Sequence, residues 1–255
     1  MNVQRCMKEF VLFNYPLPKD TVVETIWEKI SSLRHDVYAT ELQQYETNTG
    51  QQLEDPGRHF ITCMIGDKLA GYISLNPPTN KPFRISKYFS QDTLDQTVYS
   101  KCGERRSSTY EVRALTVSPE FRGQQISSQL MVYALRLILE YEGTDIVAMG
   151  HSSVVELYKK MGVTVFEEHG VQSGETYYYP MYLDPQQAFS NHATRIAQIE
   201  TGETEDDDAC YHGGKSWDAS KFDFEVRDSL VVADVLDSPF PPCPEALNVL
   251  REQLE

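Results

Sequence analysis

Tyr110-Glu111-Val112-Arg113-Ala114-Leu115-Thr116-Val117-Ser118-Pro119-Glu120-Phe121-Arg122-Gly123-Gln124-Gln125-Ile126-Ser127-Ser128-Gln129-Leu130-Met131 is the stretch that decides the fold. Residues 110–117 are rich in β-branched and aromatic side chains and stop at Ser118-Pro119, so they read as a strand with both faces covered. Arg122-Gly123 opens a turn. Beyond it Ile126, Leu130, Tyr133, Leu137 and Ile138 recur at intervals of three and four, the spacing of a helical stripe.

A strand that passes through a glycine-containing turn into a helix leaves several backbone N–H groups without intrahelical partners, and such an end binds anions. Gly123 lets the main chain approach a ligand, while Arg122 and Gln124 add donors. A diphosphate or a phosphopantetheine phosphate suits these groups. An ordinary strand-turn-helix with a solvated arginine accounts for the same spacing.

Residues 117–127 resemble the acyl-carrier motif of the GNAT N-acyltransferases, Arg/Gln-x-x-Gly-x-Gly/Ala, which cradles the pyrophosphate of an acyl-CoA. Arg122 takes the first place, Gln125 the second and Ser127 the third. Glutamine and serine where glycines are usual fit a carrier that presents one phosphate, such as acyl carrier protein. The resemblance implies that the backbone of Leu115, Thr116 and Val117 and the turn of Arg122, Gly123, Gln124, Gln125, Ile126 and Ser127 hold the carrier arm. Downstream, residues 155–163 are similar to the family's helix ending in Tyr-x-x-x-Gly. That similarity implies for Tyr158 the role of proton donor to the departing thiolate; an aromatic at helical spacing from Val154 and Met161 is equally a core residue.

The chain has 255 residues, 40% of them hydrophobic and 11% aromatic, enough for one large domain or one domain with an appendage. Its formal charge of −15 argues against nucleic acid or an anionic membrane surface as partner. Much of that charge is local, since from Glu200 onward 15 acidic residues face 4 basic ones. No run of about 18 apolar residues and no apolar leader is present, so a cytoplasmic protein is expected. Cys6, Cys63, Cys102, Cys210 and Cys243 lack CxxC spacing, which predicts reduced thiols and no metal site.

Taken in order, Lys8 to Phe13 reads as a first strand and Thr21 to Leu33 as an amphipathic helix. The segment Arg34-His35-Asp36-Val37-Tyr38-Ala39-Thr40-Glu41 resembles the Arg-x-x-Val-Phe/Tyr-x-x-Glu signature of the acyl-homoserine-lactone synthases and N-acyl amino acid synthases, a GNAT branch served by acyl carrier protein. Asp55 fits the acidic turn that follows in that branch, and Gly71 to Pro77 its Gly-x-x-Arg-Leu-x-Pro segment, with Ser74 where arginine is usual. By this resemblance Arg34, Tyr38, Glu41, Asp55 and Arg58 are expected to contact the acceptor. Carboxylates can hold an amine and arginines a carboxylate, although the same charges also serve as salt bridges. Glu111 and Arg113 match a Glu/Arg pair at that place in the synthases, which implies Glu111 as general base; a structural ion pair is the other reading.

Strands are further predicted at His59–Met64 and Lys68–Leu75 around a Gly66-Asp67 hairpin, at Asp145–Met149, Thr164–Glu168 and Thr176–Leu183. The interval from Ser90 to Ser108 reads as helical around Leu94 and Val98, and Lys101, Arg105 and Arg106 offer a dock for an acidic carrier protein or a solvated basic loop. His151 takes the place of an asparagine of the family and is able to bond a pantetheine amide or to sit satisfied at the surface. The expected fold is an α/β GNAT domain over residues 1–185, a central mixed sheet of six or seven strands flanked by helices. A polar helix and acidic linker follow at 186–208, and an extension at 209–255. Residues 230–247 resemble the N-terminal arm of histidinol-phosphate-type pyridoxal-phosphate aminotransferases, which implies a fused or partner domain of that kind. The function implied is transfer of an acyl group from acyl-CoA or an acyl-phosphopantetheine carrier to a small amine. An acetyl-CoA-dependent acetyltransferase and a non-catalytic GNAT-like module are the alternatives.

Overall fold

The structure, a computed structural model, describes residues 8–15, 21–41, 57–79, 82–103, 108–173 and 176–191. Asp55, Arg105, Arg106, the acidic linker and the C-terminal extension lie outside the described residues. One sheet of eight strands organises the rest: β1 Lys8–Asn14, β2 His59–Ile65, β3 Lys68–Asn76, β4 Thr109–Val117, β5 Asp145–His151, β6 Thr164–Val165, β7 Val171–Ser173 and β8 Thr176–Leu183. Their order is β1-β2-β3-β4-β5-β8-β6, with β7 also on β8. The expected six or seven strands become eight because β7 adds a three-residue pairing with β8. The predicted strand Thr164–Glu168 shortens to Thr164–Val165, since Glu167–His169 turns as a 3-10 helix.

All neighbours run antiparallel except β4 and β5, a parallel pair. A parallel pair requires a crossover. Helix α4, Ile126–Glu140, supplies it and buries Ile126, Leu130, Tyr133, Leu137 and Ile138 against one face of the sheet. Gly71 of β3 allows the close approach: a Cβ there would stand 2.8 Å from the Thr116 carbonyl oxygen and 3.2 Å from Ile126 Cγ2.

The opposite face carries two separate apolar clusters. Helix α1, Thr21–Arg34, packs Val23, Ile26, Ile30 and Leu33 on Phe13, Phe60, Met64 and Tyr72. A 3-10 turn at Arg84–Lys87 and two short helices, α2 Gln91–Gln96 and α3 Val98–Cys102, cover Val147 and Tyr182 with Phe83, Ile85, Leu94 and Val98. Between these clusters the middle of β4 is left for a site. Helix α5, Val155–Lys160, follows β5, and α6, Pro185–Asn191, closes the described chain with Ala188 buried in the α4 cluster.

Candidate active site

Pairing between β4 and β5 runs from Thr109/Asp145 to Val112/Ala148 and ends there, although both strands continue. On the other side β4 stays paired with β3 up to Gly71/Val117, across an irregularity at Tyr72/Ser74. Opposite it Ala114 takes a left-handed φ of 53°. The bulge bends β4 away from β5.

A cavity of about 300 Å³ fills the gap. It touches Val112, Arg113, Ala114 and Leu115 in succession. Successive residues of a strand point to opposite faces, so a space that meets all of them passes through the plane of the sheet. Its other walls are Met131 and Leu135 of α4, Ala148 and Met149 of β5, Leu157 of α5 and Met161 just beyond it, and it extends to Leu183 and Ala188. Apart from Arg113, Ser128, Lys160 and the phenols of Tyr158 and Tyr182, the lining is apolar.

Tyr158 stands on α5 at this opening. Burial pushes its phenol up to about 12, and the neighbouring Tyr38 hydroxyl adds to the effect. Tyr38 reaches the same place from the α1 side of the sheet, where its hydroxyl lies 3.4 Å from Thr116 Oγ1. Burial, then the Tyr72 phenol, raise Tyr38 in turn. Tyr38 belongs to a π-helical segment, His35–Glu41, that continues α1, and Arg34 places its guanidinium 5.4 Å from the centre of the Tyr38 ring. π-Helical turns are rare and concentrate at functional sites.

The turn before α4 is built from left-handed backbone. Gly123 has φ of 84° and Gln125 φ of 57°, so the backbone turns left-handed twice before the helix begins. A Cβ at Gly123 would meet nothing within 4 Å, and this side of the turn is open. Gln125 occupies as a non-glycine residue a region that favours glycine by roughly 1–2 kcal/mol. Gln125→Gly is therefore expected to stabilise the fold by about 0.5–1 kcal/mol, read as a higher urea midpoint at constant slope. Lys8 braces the turn from β1, donating to the Gln124 carbonyl at 2.8 Å and to Gln129 Oε1 at 3.0 Å.

Arg122 donates two hydrogen bonds to Glu41, at 2.8 and 2.7 Å, and ties the turn to the π-helical segment. Those bonds hold the Glu41 carboxyl below its ordinary range. Arg34, Tyr38, Glu41, Arg113, Thr116, Arg122 and Tyr158 thus come together from four parts of the chain.

Other expected residues are placed differently. Arg58 donates from its guanidinium to the Tyr15 carbonyl and from its amide to Leu75 at 2.9 Å, fastening the end of β1. His151 accepts the Ser153 amide at 3.0 Å on Nδ1 and caps the turn before α5. Ile126 is a core residue. Glu111 is 2% exposed and does not line the cavity. Its carboxylate accepts Asn76 Nδ2 at 2.6 Å, the Arg84 amide at 2.9 Å and the Ile85 amide at 2.6 Å. Arg113 is not among these partners; its carbonyl takes the Ser74 hydroxyl at 3.3 Å. Nothing in the spacing of the sequence announced this clamp, because its donors are two main-chain amides and one asparagine.

A model of the GNAT acetyltransferase family matches residues 22–163, more than half of the chain. The chain is a member of the GNAT family. Among solved structures, this GNAT domain is similar to a CoA-dependent acyl-homoserine lactone synthase, BjaI, with SAM and isopentyl-CoA: TM-score 0.57, 16% identity, covering 75% of this chain and 90% of that one. It is also similar to the CoA-dependent acyl-homoserine lactone synthase MesI, with TM-score 0.53, 12% identity and coverage of 72% and 95%. A third is the AHL synthase LasI, with TM-score 0.52, 11% identity and coverage of 73% and 96%. At these identities the likeness is one of fold. No curated protein matches the chain by sequence. Among the described residues no helix is long and apolar enough to cross a membrane, and no group of three or more His, Cys, Asp or Glu could hold a metal ion.

Proposed function

We propose that this GNAT protein transfers an acyl group longer than acetyl from a phosphopantetheine thioester, on CoA or on acyl carrier protein, to the amine of a small amino-acid-like acceptor. The observation that carries the reading is the cavity through the sheet, whose apolar continuation to Leu183 and Ala188 goes beyond what a two-carbon acyl group would fill. The turn at Gly123 offers its amides to the carrier phosphate, and the unpaired side of β4 lies along the arm. BjaI and MesI are described as CoA-dependent synthases of acyl-homoserine lactones, which agrees with an acyl thioester donor here.

The chemistry needs one proton moved. A neutral amine attacks the thioester carbonyl, the C–N bond forms, the C–S bond breaks, and the proton lost by nitrogen ends on sulfur. A phenol near 12 is a weaker acid than a thiol, ordinarily near 8.5, so giving its proton outright to a thiolate is uphill. Tyr158 therefore serves as a relay: it hydrogen-bonds the departing sulfur and passes on a proton as it receives one from the nitrogen. No carboxylate base is required for this transfer, and Glu111 is left out of it.

Turnover of acyl-CoA thioesters of increasing chain length with a panel of amines tests the reading. Ala148 lines the cavity, and Ala148→Phe would fill part of it. Rates with long acyl groups are expected to fall about tenfold or more relative to acetyl in this variant. Preference for acetyl in the wild type would identify an acetyltransferase instead. Competition between CoA and carrier protein decides the carrier.

A further inference from the structure

On the α1 side of β3, Tyr72 is 0% exposed, and its hydroxyl has no hydrogen-bond partner. Burying a hydroxyl unmatched is costly, and a tyrosine that does so without function is readily replaced by phenylalanine. Tyr72 is the register partner of Thr116, so the two side chains stand next to each other on one face of the sheet. The Thr116 hydroxyl is in turn the neighbour of the Tyr38 hydroxyl at 3.4 Å. The groups whose charge or hydrogen bonding acts on the Tyr38 hydroxyl are Tyr72, Thr116, Arg34 and Arg113. Hydroxyls from β3, β4 and the π-helical segment thus converge with two guanidinium groups in reach. Ala114, small and left-handed, packs against the cluster that contains Tyr72 and also lines the cavity, and the Tyr38 phenol acts on Tyr158 at the opening.

We propose that Tyr72, together with Tyr38 and Thr116, binds the carboxylate of the acceptor and so restricts the acceptor to amines that carry an acid group. This rests on the acyltransferase reading given above. A carboxylate fits because it accepts several hydrogen bonds at once and is drawn by the positive charge of Arg34 and Arg113. The acceptor then lies on the α1 face while the donor's acyl chain lies under α4, and the amine meets the thioester in the gap between β4 and β5. Glu41, on the same segment as Tyr38, ties that segment to Arg122 through an ion pair at 2.7 Å. Tyr72 selects the acceptor by unmatched polarity: an amine without the acid leaves the phenol as orphaned as it is in the empty protein, whereas the acid supplies its missing partner.

The test uses Tyr72→Phe, which keeps the ring and removes the hydroxyl, with L-amino acids and the corresponding amines lacking the carboxyl group, in the presence of an acyl-CoA. For the wild type, KM is expected to be about tenfold or more lower for the acids. In Tyr72→Phe that ratio should collapse toward one through KM, with kcat on the acids within about twofold and a melting temperature that is not lowered. An unchanged ratio, or a lower melting temperature with the ratio retained, would overturn the proposal and leave Tyr72 a packing residue. If the wild type acylates no amine from any thioester, the acyltransferase reading fails and thermal shift decides on carboxylate binding at Tyr72. A rise in melting temperature with the acids that is absent with the amines and lost in Tyr72→Phe supports it. No rise with the acids, or the same rise in both proteins, overturns it.

Discussion

Glu111→Ala is expected to unfold far more easily than the wild type, by about 3–5 kcal/mol in chemical denaturation. One buried carboxylate serves three donors, the buried Asn76 Nδ2 and Ile85 amide and the partly buried Arg84 amide. Each donor left unmatched costs roughly 1–3 kcal/mol. Glu111→Gln should cost less, about 2–3 kcal/mol, since its amide keeps one accepting oxygen but turns an NH₂ group toward a donor. Both changes should show as a lower denaturant midpoint, and the acyl-transfer rate of the folded fraction of Glu111→Gln should stay within a few-fold of wild type. A variant that keeps full stability but loses about 100-fold in kcat would return Glu111 to the role of base. The clamp has a plain structural purpose: it fixes the 3-10 turn at Arg84–Lys87, and with it Phe83 and Ile85, onto the sheet.

The second large effect concerns the chemical step. Tyr158→Phe keeps the ring against the cavity wall and removes only the hydroxyl. The loss expected is about 100-fold in kcat, with KM for the thioester little changed, because the hydrogen bond to sulfur strengthens only as the C–S bond breaks. The pH profile separates this from a general loss of structure. With the phenol held near 12, the wild-type rate should rise with deprotonation of the acceptor amine and show no descending limb from Tyr158 below about pH 11. The rising limb belongs to the acceptor and should remain in Tyr158→Phe. A variant with undiminished kcat would remove Tyr158 from the reaction.

The fold was legible from the chain because its signals are local. The stripe Ile126, Leu130, Tyr133, Leu137 and Ile138 is the buried face of α4, and the Gly66-Asp67 turn joins β2 to β3. Short pairings such as Val171–Ser173 were not, since three residues carry too little pattern to be told from a loop. The site divided along the same line. Arg34, Tyr38 and Glu41 lie on one continuous helical segment, so their convergence follows from sequence spacing. Tyr72 and the partners of Glu111 depend on register across β3 and β4 and on main-chain amides, and neither leaves a mark in the order of residues. Gln125 shows a further limit. Its side chain stands where glycine is usual in the family's motif, yet its backbone adopts the left-handed turn all the same, at a strain that composition cannot reveal.

The parting of β4 from β5 has a consequence for what this protein will tolerate as company. A sheet that opens in its middle carries an internal edge, and exposed edges invite pairing with any extended polypeptide. Here α4 and α5 line the fissure, and most of the side chains they and the strands turn into it are apolar. The helices that line the gap thereby cover an edge that would otherwise invite aggregation.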